Sequence, residues 1–204
     1  MKLLYATSNL GKVEFMIKFL ENLPIELCSL QDLPDSLVIP EETGKDPKEN
    51  AIIKARKYYE QLKRPLFSCD SGLYFEEVEP EEQPGVFVRR VIGSDKELND
   101  AEMVAYYAKL AEKYGGKLTA NYRNSICLIL DENTEFAYIG DDISSEKFYI
   151  VSEPYHTHLK GLPLDSLSVE IKSGKYYIEL EENEKNGKDI GVGLRKFFMD
   201  NMNL

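Results

Sequence analysis

The chain has no tryptophan, two histidines, and three cysteines that stand far apart as Cys28, Cys69 and Cys127. An odd number of unpaired cysteines with no CxxC spacing excludes a disulfide framework, makes a structural zinc site improbable, and points to a reducing compartment. His156 and His158 flank Thr157. On a strand both would face one side, but no third metal ligand stands out and a surface position accounts for them. No apolar run reaches the ~18 residues needed to span a bilayer, and the N-terminus lacks the charged–apolar–small order of a signal peptide. The expectation is a soluble cytoplasmic protein with no membrane partner. Internal repeats, low-complexity tracts and Pro/Ser-rich linkers are absent, so the 204 residues read as a single domain over 1–204, large enough to have two lobes. Walker A, GxGxxG and Ser/His/Asp patterns are missing. Positive charge is also scarce. Lys and Arg number 25 against 36 Asp and Glu, for a net charge of −11. That excludes a nucleic-acid-coating role, which needs a basic surface. It permits a small anionic substrate in a local basic pocket and suits divalent-cation sites.

Against these absences, one stretch near the start is rich in functional groups. Thr7-Ser8-Asn9-Leu10-Gly11-Lys12 follows the apolar run Lys2-Leu3-Leu4-Tyr5-Ala6 and precedes residues 13–20, whose apolar positions recur at helical spacing. It is a strand-to-helix turn that gathers two hydroxyls, an amide, a glycine and a lysine beside free backbone N–H groups. Such a helix start favours a bound anion, phosphate above all. An ordinary βα turn uses Ser, Asn and Gly as well, but a lysine opening a helix runs against the helix dipole unless it has an anionic partner.

The chain then reads as a strand at 25–29, a loop over 31–45, and a helix from Asp46-Pro47-Lys48-Glu49 to about Lys63. Asp46 caps it, Pro47 fits its first position and Glu49 closes a capping box. Ala51, Ile52, Ala55, Tyr58, Tyr59 and Leu62 form its buried face. Residues 65–69 read as a short buried strand, Asp70-Ser71-Gly72 as a turn, and 73–75 as the hairpin partner. Residues 76–84, Glu-rich with two prolines, read as a solvated loop. Asn99-Asp100-Ala101-Glu102 is a second capping box, opening a helix that ends at Gly115-Gly116. Residues 117–130 and 134–151 read as one long antiparallel pair, 167–180 as a hairpin turning at Ser173-Gly174, and 188–202 as a last helix burying Leu194, Phe197 and Phe198. βα units followed by long antiparallel strands imply an α/β or α+β fold with a twisted mixed sheet and two lobes around a central cleft.

Three groups of residues in the first half could carry chemistry: Glu41-Glu42-Thr43-Gly44, Glu49-Asn50 followed by Lys54, and Asp70-Ser71-Gly72. Asp70 follows an apolar run at the edge of a core, where carboxylates are hydrogen-bonded or metal-bound. Mg²⁺ takes one or two carboxylates plus substrate phosphates and waters. Glu42 and Asp70 could supply the carboxylates, with Lys12 and Lys54 meeting phosphate oxygens and a carboxylate taking a proton from the attacking water. Each group has a plainer reading: a turn, solvated loop charges, a lysine on an outer helix face.

The order of these pieces resembles the inosine triphosphate pyrophosphatase family, which hydrolyses non-standard purine nucleoside triphosphates. Its T-x-N-x-x-K turn is matched by Thr7, Asn9 and Lys12, and its E-E-T-G loop by Glu41 to Gly44. Its E-N-A-x-x-K-A helix is matched by Glu49-Asn50-Ala51, Lys54 and Ala55. Its D-S-G-L is Asp70-Ser71-Gly72-Leu73, and its P-G-x-[FY]-x-x-R segment is Pro84-Gly85, Phe87 and Arg90. The second half departs from the pattern. The base-facing G-F-G-Y-D-P segment becomes Gly161-Leu162-Pro163-Leu164-Asp165-Ser166, with both aromatics replaced by leucine. Lys185 falls on a substrate-contacting lysine, but the S-H-R that follows becomes Asp189-Ile190-Gly191. Cys69 replaces an acidic residue often found before Asp70, and Val88 a common serine.

The resemblance implies one α/β domain with a long mixed sheet, commonly a homodimer. It also implies Mg²⁺-dependent conversion of a nucleoside triphosphate, such as ITP or XTP, to the monophosphate and pyrophosphate. Asp70 would be metal ligand and proton acceptor and Glu42 the second metal carboxylate. Thr7, Ser8, Asn9, Lys12, Lys54, Ser71 and Lys185 would hold the triphosphate, with Arg90 a further phosphate candidate and Asp165 near the base. Loss of stacking and of hydrogen-bond donors to the base would alter or broaden base preference. Two rivals follow from the same departures: a non-catalytic nucleotide-binding or regulatory protein on this scaffold, and a pyrophosphatase acting on a different triphosphate or a nucleotide sugar.

Overall fold

The computed structural model describes residues 1–33, 37–90, 96–157, 162–181 and 190–204. In chain order the elements are β1 (Lys2–Tyr5), α1 (Leu10–Leu20), β2 (Glu26–Ser29), α2 (Pro47–Leu62), β3 (Leu66–Phe75), α3 (Asp100–Lys113), β4 (Lys117–Asp131), β5 (Thr134–Ile139), β6 (Phe148–Val151), β7 (Ser168–Val169) and α4 (Ile190–Met202), joined by short 3₁₀ turns. The strands form one mixed sheet in the order β2-β1-β3-β4-β6-β7, with β5 also paired to β4. β1 runs parallel to β2 and β3, while β4 is antiparallel to β5 and β6. This is the mixed α/β architecture expected.

Two compact units share the chain: residues 1–71, 123–144 and 189–204 in the first, and 72–122 and 145–188 in the second. The first has a core on each face of its sheet. Leu3, Tyr5, Phe67, Ile126 and Leu128 pack with α1 and α4 through Met16, Leu20, Leu194, Phe197 and Phe198. Leu4, Ala6, Leu66, Cys127 and Ile129 pack with α2 through Ala51, Ala55 and Tyr58. The fully buried alanines bring α2 close to the strands. Thus α1 and α2 lie on opposite faces although β1 sits between the two strands they lead to. The carboxyl end of β1, beside the middle of β3, is therefore a topological switch point, the place where open α/β sheets hold ligands. The second unit builds its own core from Leu73, Phe75, Met103, Tyr107, Leu118, Phe148, Ile150, Leu164 and their neighbours.

Four expectations are corrected. Asp70-Ser71-Gly72 does not turn. β3 runs straight through it, and Leu73 exchanges both backbone hydrogen bonds with Gly85 rather than with a hairpin of its own. A Cβ on Gly72 would lie 2.9 Å from the Gly85 carbonyl oxygen, so the glycine serves close backbone approach. The second long strand is broken: Gly140 to Ser144 leave the sheet in a 3₁₀ turn that sinks Ile143 into the core and separates β5 from β6. Glu49 does not close a capping box on Asp46. Asp46 caps α2 by accepting from the Glu49 N–H, but the Glu49 carboxylate accepts from the Lys45 N–H instead. The acidic segment 76–84 is partly tied down, with Val78 buried, Glu77 accepting from Thr119, and Glu82 from Lys113 and Tyr114. The Asn99–Glu102 capping box and the α3 terminus at Gly115 and Gly116, both with positive φ, match expectation.

Candidate active site

The Thr7–Lys12 turn begins where β1 ends. The Thr7 hydroxyl accepts from the Asn9 N–H at 3.2 Å, and the Asn9 side chain accepts from the Lys12 N–H at 3.2 Å, capping α1. Asn9 therefore spends its carbonyl oxygen on its own helix. The Gln31 amide donates to the Ser8 carbonyl at 3.0 Å and holds the turn from the β2 side. The first turn of α1 holds no acidic residue, and Lys12 is exposed. The turn thus presents the positive end of a helix together with a cation.

Glu42 sits on a strap tied to α2 at both ends. At one end Gln61 accepts from the Val38 N–H at 2.8 Å and donates to its carbonyl at 3.0 Å. At the other the buried Asn50 side chain accepts from the Gly44 N–H at 2.7 Å. Any Cβ on Gly44 would come within 2.8 Å of Asn50 and Glu49, which explains the glycine.

Strand alternation then divides the functional groups of β3. Leu66, Ser68 and Asp70 face α2, where the Ser68 hydroxyl donates to the Ala51 carbonyl. Lys54 on α2 reaches both carboxylates, with its Nζ 2.8 Å from Glu42 Oε1 and 3.6 Å from Asp70 Oδ1. Asp70 is 8 % exposed, and its Oδ2 is buried with no hydrogen-bond partner among the described residues. Burial raises the Asp70 pKa, and the Lys54 charge opposes that rise. The negative charge of Glu42 adds to it, while Asn50 and Lys12 pull weakly downward. A carboxylate with an orphaned, desolvated oxygen is matched to accept either a cation or a proton.

Two cavities flank this arrangement within the first unit. One of about 130 Å³, on the α2 face, is walled by Thr7, Ser8, Pro40, Glu42, Lys54 and Tyr58. The other, also about 130 Å³, lies on the α1/α4 face, where Lys12, Cys69, Ser71 and Asn124 rim a floor of Phe15, Met16, Ile190 and Leu194. Burial pushes the Cys69 thiol up to about 11, which keeps it neutral. Among the described residues no three His, Cys, Asp or Glu side chains form a metal cage. The donor set, two hard carboxylates beside two lysines, is the kind that Mg²⁺ uses with substrate phosphates.

Of the expected site residues, Thr7, Ser8, Asn9, Lys12, Glu42, Lys54, Asp70 and Ser71 belong to the first unit at this switch point. Arg90 and Asp165 belong to the second. Arg90 lays its guanidinium over the Phe87 ring at 5.1 Å. Asp165 is half-buried in the 3₁₀ turn Pro163–Ser166 and, after burial itself, helps push the Tyr122 hydroxyl up to about 12. Leu164 is buried in the core of the second unit and cannot meet a ligand, whereas Leu162 is 56 % exposed. Lys185, His158, Gly161 and Asp189 lie outside the described residues. His156 is not on a strand and packs on Tyr155. Sequence reasoning named Asn50 beside Lys54 but gave it no role; it ties down the Glu42 strap. It missed Tyr58, read only as core, which also walls the α2-side cavity. Its spacing of four from Lys54 was the available signal.

Comparison with known proteins gives consistent matches. The model of the Ham1 family matches residues 3–188. A dITP/XTP pyrophosphatase of Leptospira interrogans is 31 % identical over 205 residues, covering 98 % of this chain and 94 % of the relative. One from Thermoanaerobacter is 37 % identical over 186 residues, covering 91 % and 88 %. Among solved structures, a HAM1 protein from Coxiella burnetii superposes with a TM-score of 0.77 at 25 % identity, covering 98 % of this chain and 99 % of the other. A nucleoside-triphosphatase / dITP/XTP pyrophosphatase from Mycobacterium abscessus gives a TM-score of 0.66 at 26 % identity, covering 99 % and 98 %.

Proposed function

This chain belongs to the Ham1 family, and from that premise we propose that it hydrolyses a nucleoside triphosphate, with a non-standard purine such as ITP or XTP as the leading class, to the monophosphate and pyrophosphate. The observation that carries the reading is Asp70, whose orphaned Oδ2 is buried where Glu42 and Lys54 converge on the middle of β3.

In this reading Glu42 and Asp70 are the carboxylates that hold Mg²⁺, and the orphaned oxygen and hard donor set fit that ion. When bound, the ion polarises a phosphoryl oxygen and eases ionisation of a water. The chain's own residues do the rest. Lys12 and Lys54 offset the charge of the triphosphate, and the hydroxyls of Thr7, Ser8 and Ser71 and the amide N–H groups opening α1 donate to its oxygens. Water attacks the α-phosphorus, its proton passes to the Asp70 carboxylate, and the bond to the β-phosphate oxygen breaks to release pyrophosphate.

Altered base preference is part of the proposal. Gly191 stands where the resembling family carries arginine. A Cβ there would lie 2.1 Å from the Phe19 ring, so α4 packs on α1 too closely for a side chain. Ile190 adds an apolar wall to the α1/α4-side cavity where a histidine was expected. These features favour a different triphosphate or a nucleotide sugar as the alternative substrate, or a binding protein without turnover. The homodimer rests on the resemblance alone, and sedimentation at micromolar concentration tests it.

The deciding experiment is pyrophosphate release with Mg²⁺ from a panel of inosine, xanthosine, common nucleoside triphosphates and nucleotide sugars. Release from inosine or xanthosine triphosphate supports the reading. Binding without release from any of them supports the regulatory alternative.

A further inference from the structure

Buried tyrosines usually find a partner for the hydroxyl, and four tyrosines here donate to a named acceptor. Tyr107 donates to the Val88 carbonyl, Tyr114 to Glu82, Tyr138 to Asp142 and Tyr176 to the Glu153 carbonyl. Tyr58 is different. The residue is 4 % exposed and packed in the α2-side core with Leu4, Ala6 and Leu66. Among the described residues its hydroxyl makes no hydrogen bond and, unlike Asp70 Oδ2, is not sealed from solvent; the side chain walls the cavity shared by Thr7, Ser8, Glu42 and Lys54. Four residues after Lys54 on α2, it shares the face of that lysine. The neighbouring charges of Lys54 and Glu42 act on it electrostatically, and burial keeps it protonated, hence a donor, at neutral pH.

The cavity of about 130 Å³ has room for phosphate groups. Its polar lining residues are Lys54, Thr7, Ser8 and Tyr58, each able to donate a hydrogen bond, and Glu42. We propose that the Tyr58 hydroxyl binds the pyrophosphate moiety, donating to an oxygen of the leaving phosphates within this cavity, which makes it a substrate-binding residue of the site. This deepens the functional reading above and rests on it. Lys54 offsets part of the leaving group's charge, and Tyr58 adds a directed hydrogen bond. Its ring is anchored by the core, so little conformational entropy is lost when the ligand arrives.

The test is calorimetric titration of wild type and Tyr58→Phe with Mg²⁺–pyrophosphate and, separately, with a nucleoside monophosphate. A hydrogen bond to a charged group contributes about 1.5–3 kcal/mol, so pyrophosphate should bind roughly ten- to a hundredfold more weakly to the variant. Monophosphate affinity and the Tm should stay the same, because the ring is retained. Pyrophosphate affinity within twofold of wild type in a folded Tyr58→Phe protein overturns the inference and leaves the functional reading standing. A wild type that turns over triphosphates but binds pyrophosphate no better than inorganic phosphate also overturns it. A wild type that binds neither triphosphate nor pyrophosphate overturns both.

Discussion

Asp70 concentrates the conflict between stability and function in one side chain. It is desolvated on one oxygen and only distantly paired at 3.6 Å with a lysine that Glu42 holds more closely. Because its folded-state pKa is raised, the native chain binds the proton more tightly than the unfolded chain. Between the ordinary and the raised value, stability therefore falls as pH rises, and it stays lower above that window. Asp70→Asn should remove this cost. At pH 7 the variant should unfold at higher urea concentration, a gain of about 0.5–2 kcal/mol that shrinks as pH drops towards 4. Its turnover should fall by roughly 10²–10⁴ while triphosphate affinity largely survives. Lys54 and Glu42 push the Asp70 pKa in opposite directions. In the metal-free protein Lys54→Met should therefore move the Asp70 carboxyl titration, followed by carbon NMR, to higher pH, and Glu42→Gln should move it to lower pH. Shifts of the same sign in both variants would contradict this account of the site.

Elements place these side chains, and the strap carrying Glu42 is the most exposed to disruption. Asn50 is 2 % exposed and spends its side-chain oxygen on the Gly44 N–H. Asn50→Ala should cost about 1–3 kcal/mol by leaving that buried donor unpaired. It should also raise the Mg²⁺ concentration for half-maximal activity, since Glu42 loses its tether. A loss of stability with unchanged Mg²⁺ dependence would show that the strap does not position Glu42. Elements whose signals were local were legible in sequence: the Asn9 turn, the Asp46 and Asn99 caps, and the glycine stop after α3 all appear where side-chain chemistry placed them. Asp70-Ser71-Gly72 was misread because its turn residues serve a different end, a carboxylate facing α2 and a glycine allowing close backbone approach. The break after β5 was also signalled by Gly140-Asp141-Asp142, but the alternating apolar residues on either side masked it. There the Tyr138 hydroxyl donates to Asp142 and the Ser144 hydroxyl to the Gly140 carbonyl, both at 2.7 Å. The residues that bring Glu42, Lys54 and Asp70 together come from a loop, a helix and a strand. Motif order suggested the group, but only tertiary packing sets its distances.

For the molecule as a whole, the site sets two lysines beside two carboxylates in an acidic protein. Among the described residues no helix is long and apolar enough to cross a membrane, and the net charge of −11 repels a polyanion at long range. Lys12 and Lys54 attract phosphates only nearby, and Lys54 is already engaged by two carboxylates. The Debye length falls from about 30 Å at 0.01 M salt to about 8 Å at 0.15 M. Added salt should therefore screen the global repulsion before it weakens the short-range contacts. The association rate constant of a triphosphate measured by stopped flow at fixed Mg²⁺ should consequently rise over that range, the opposite of the fall produced by basic steering surfaces. The dissociation rate should rise too, because the phosphate contacts are themselves ionic, so affinity will change less than either rate. If the association rate instead falls steeply with salt, the field at the site is set by its lysines rather than by the chain's overall charge.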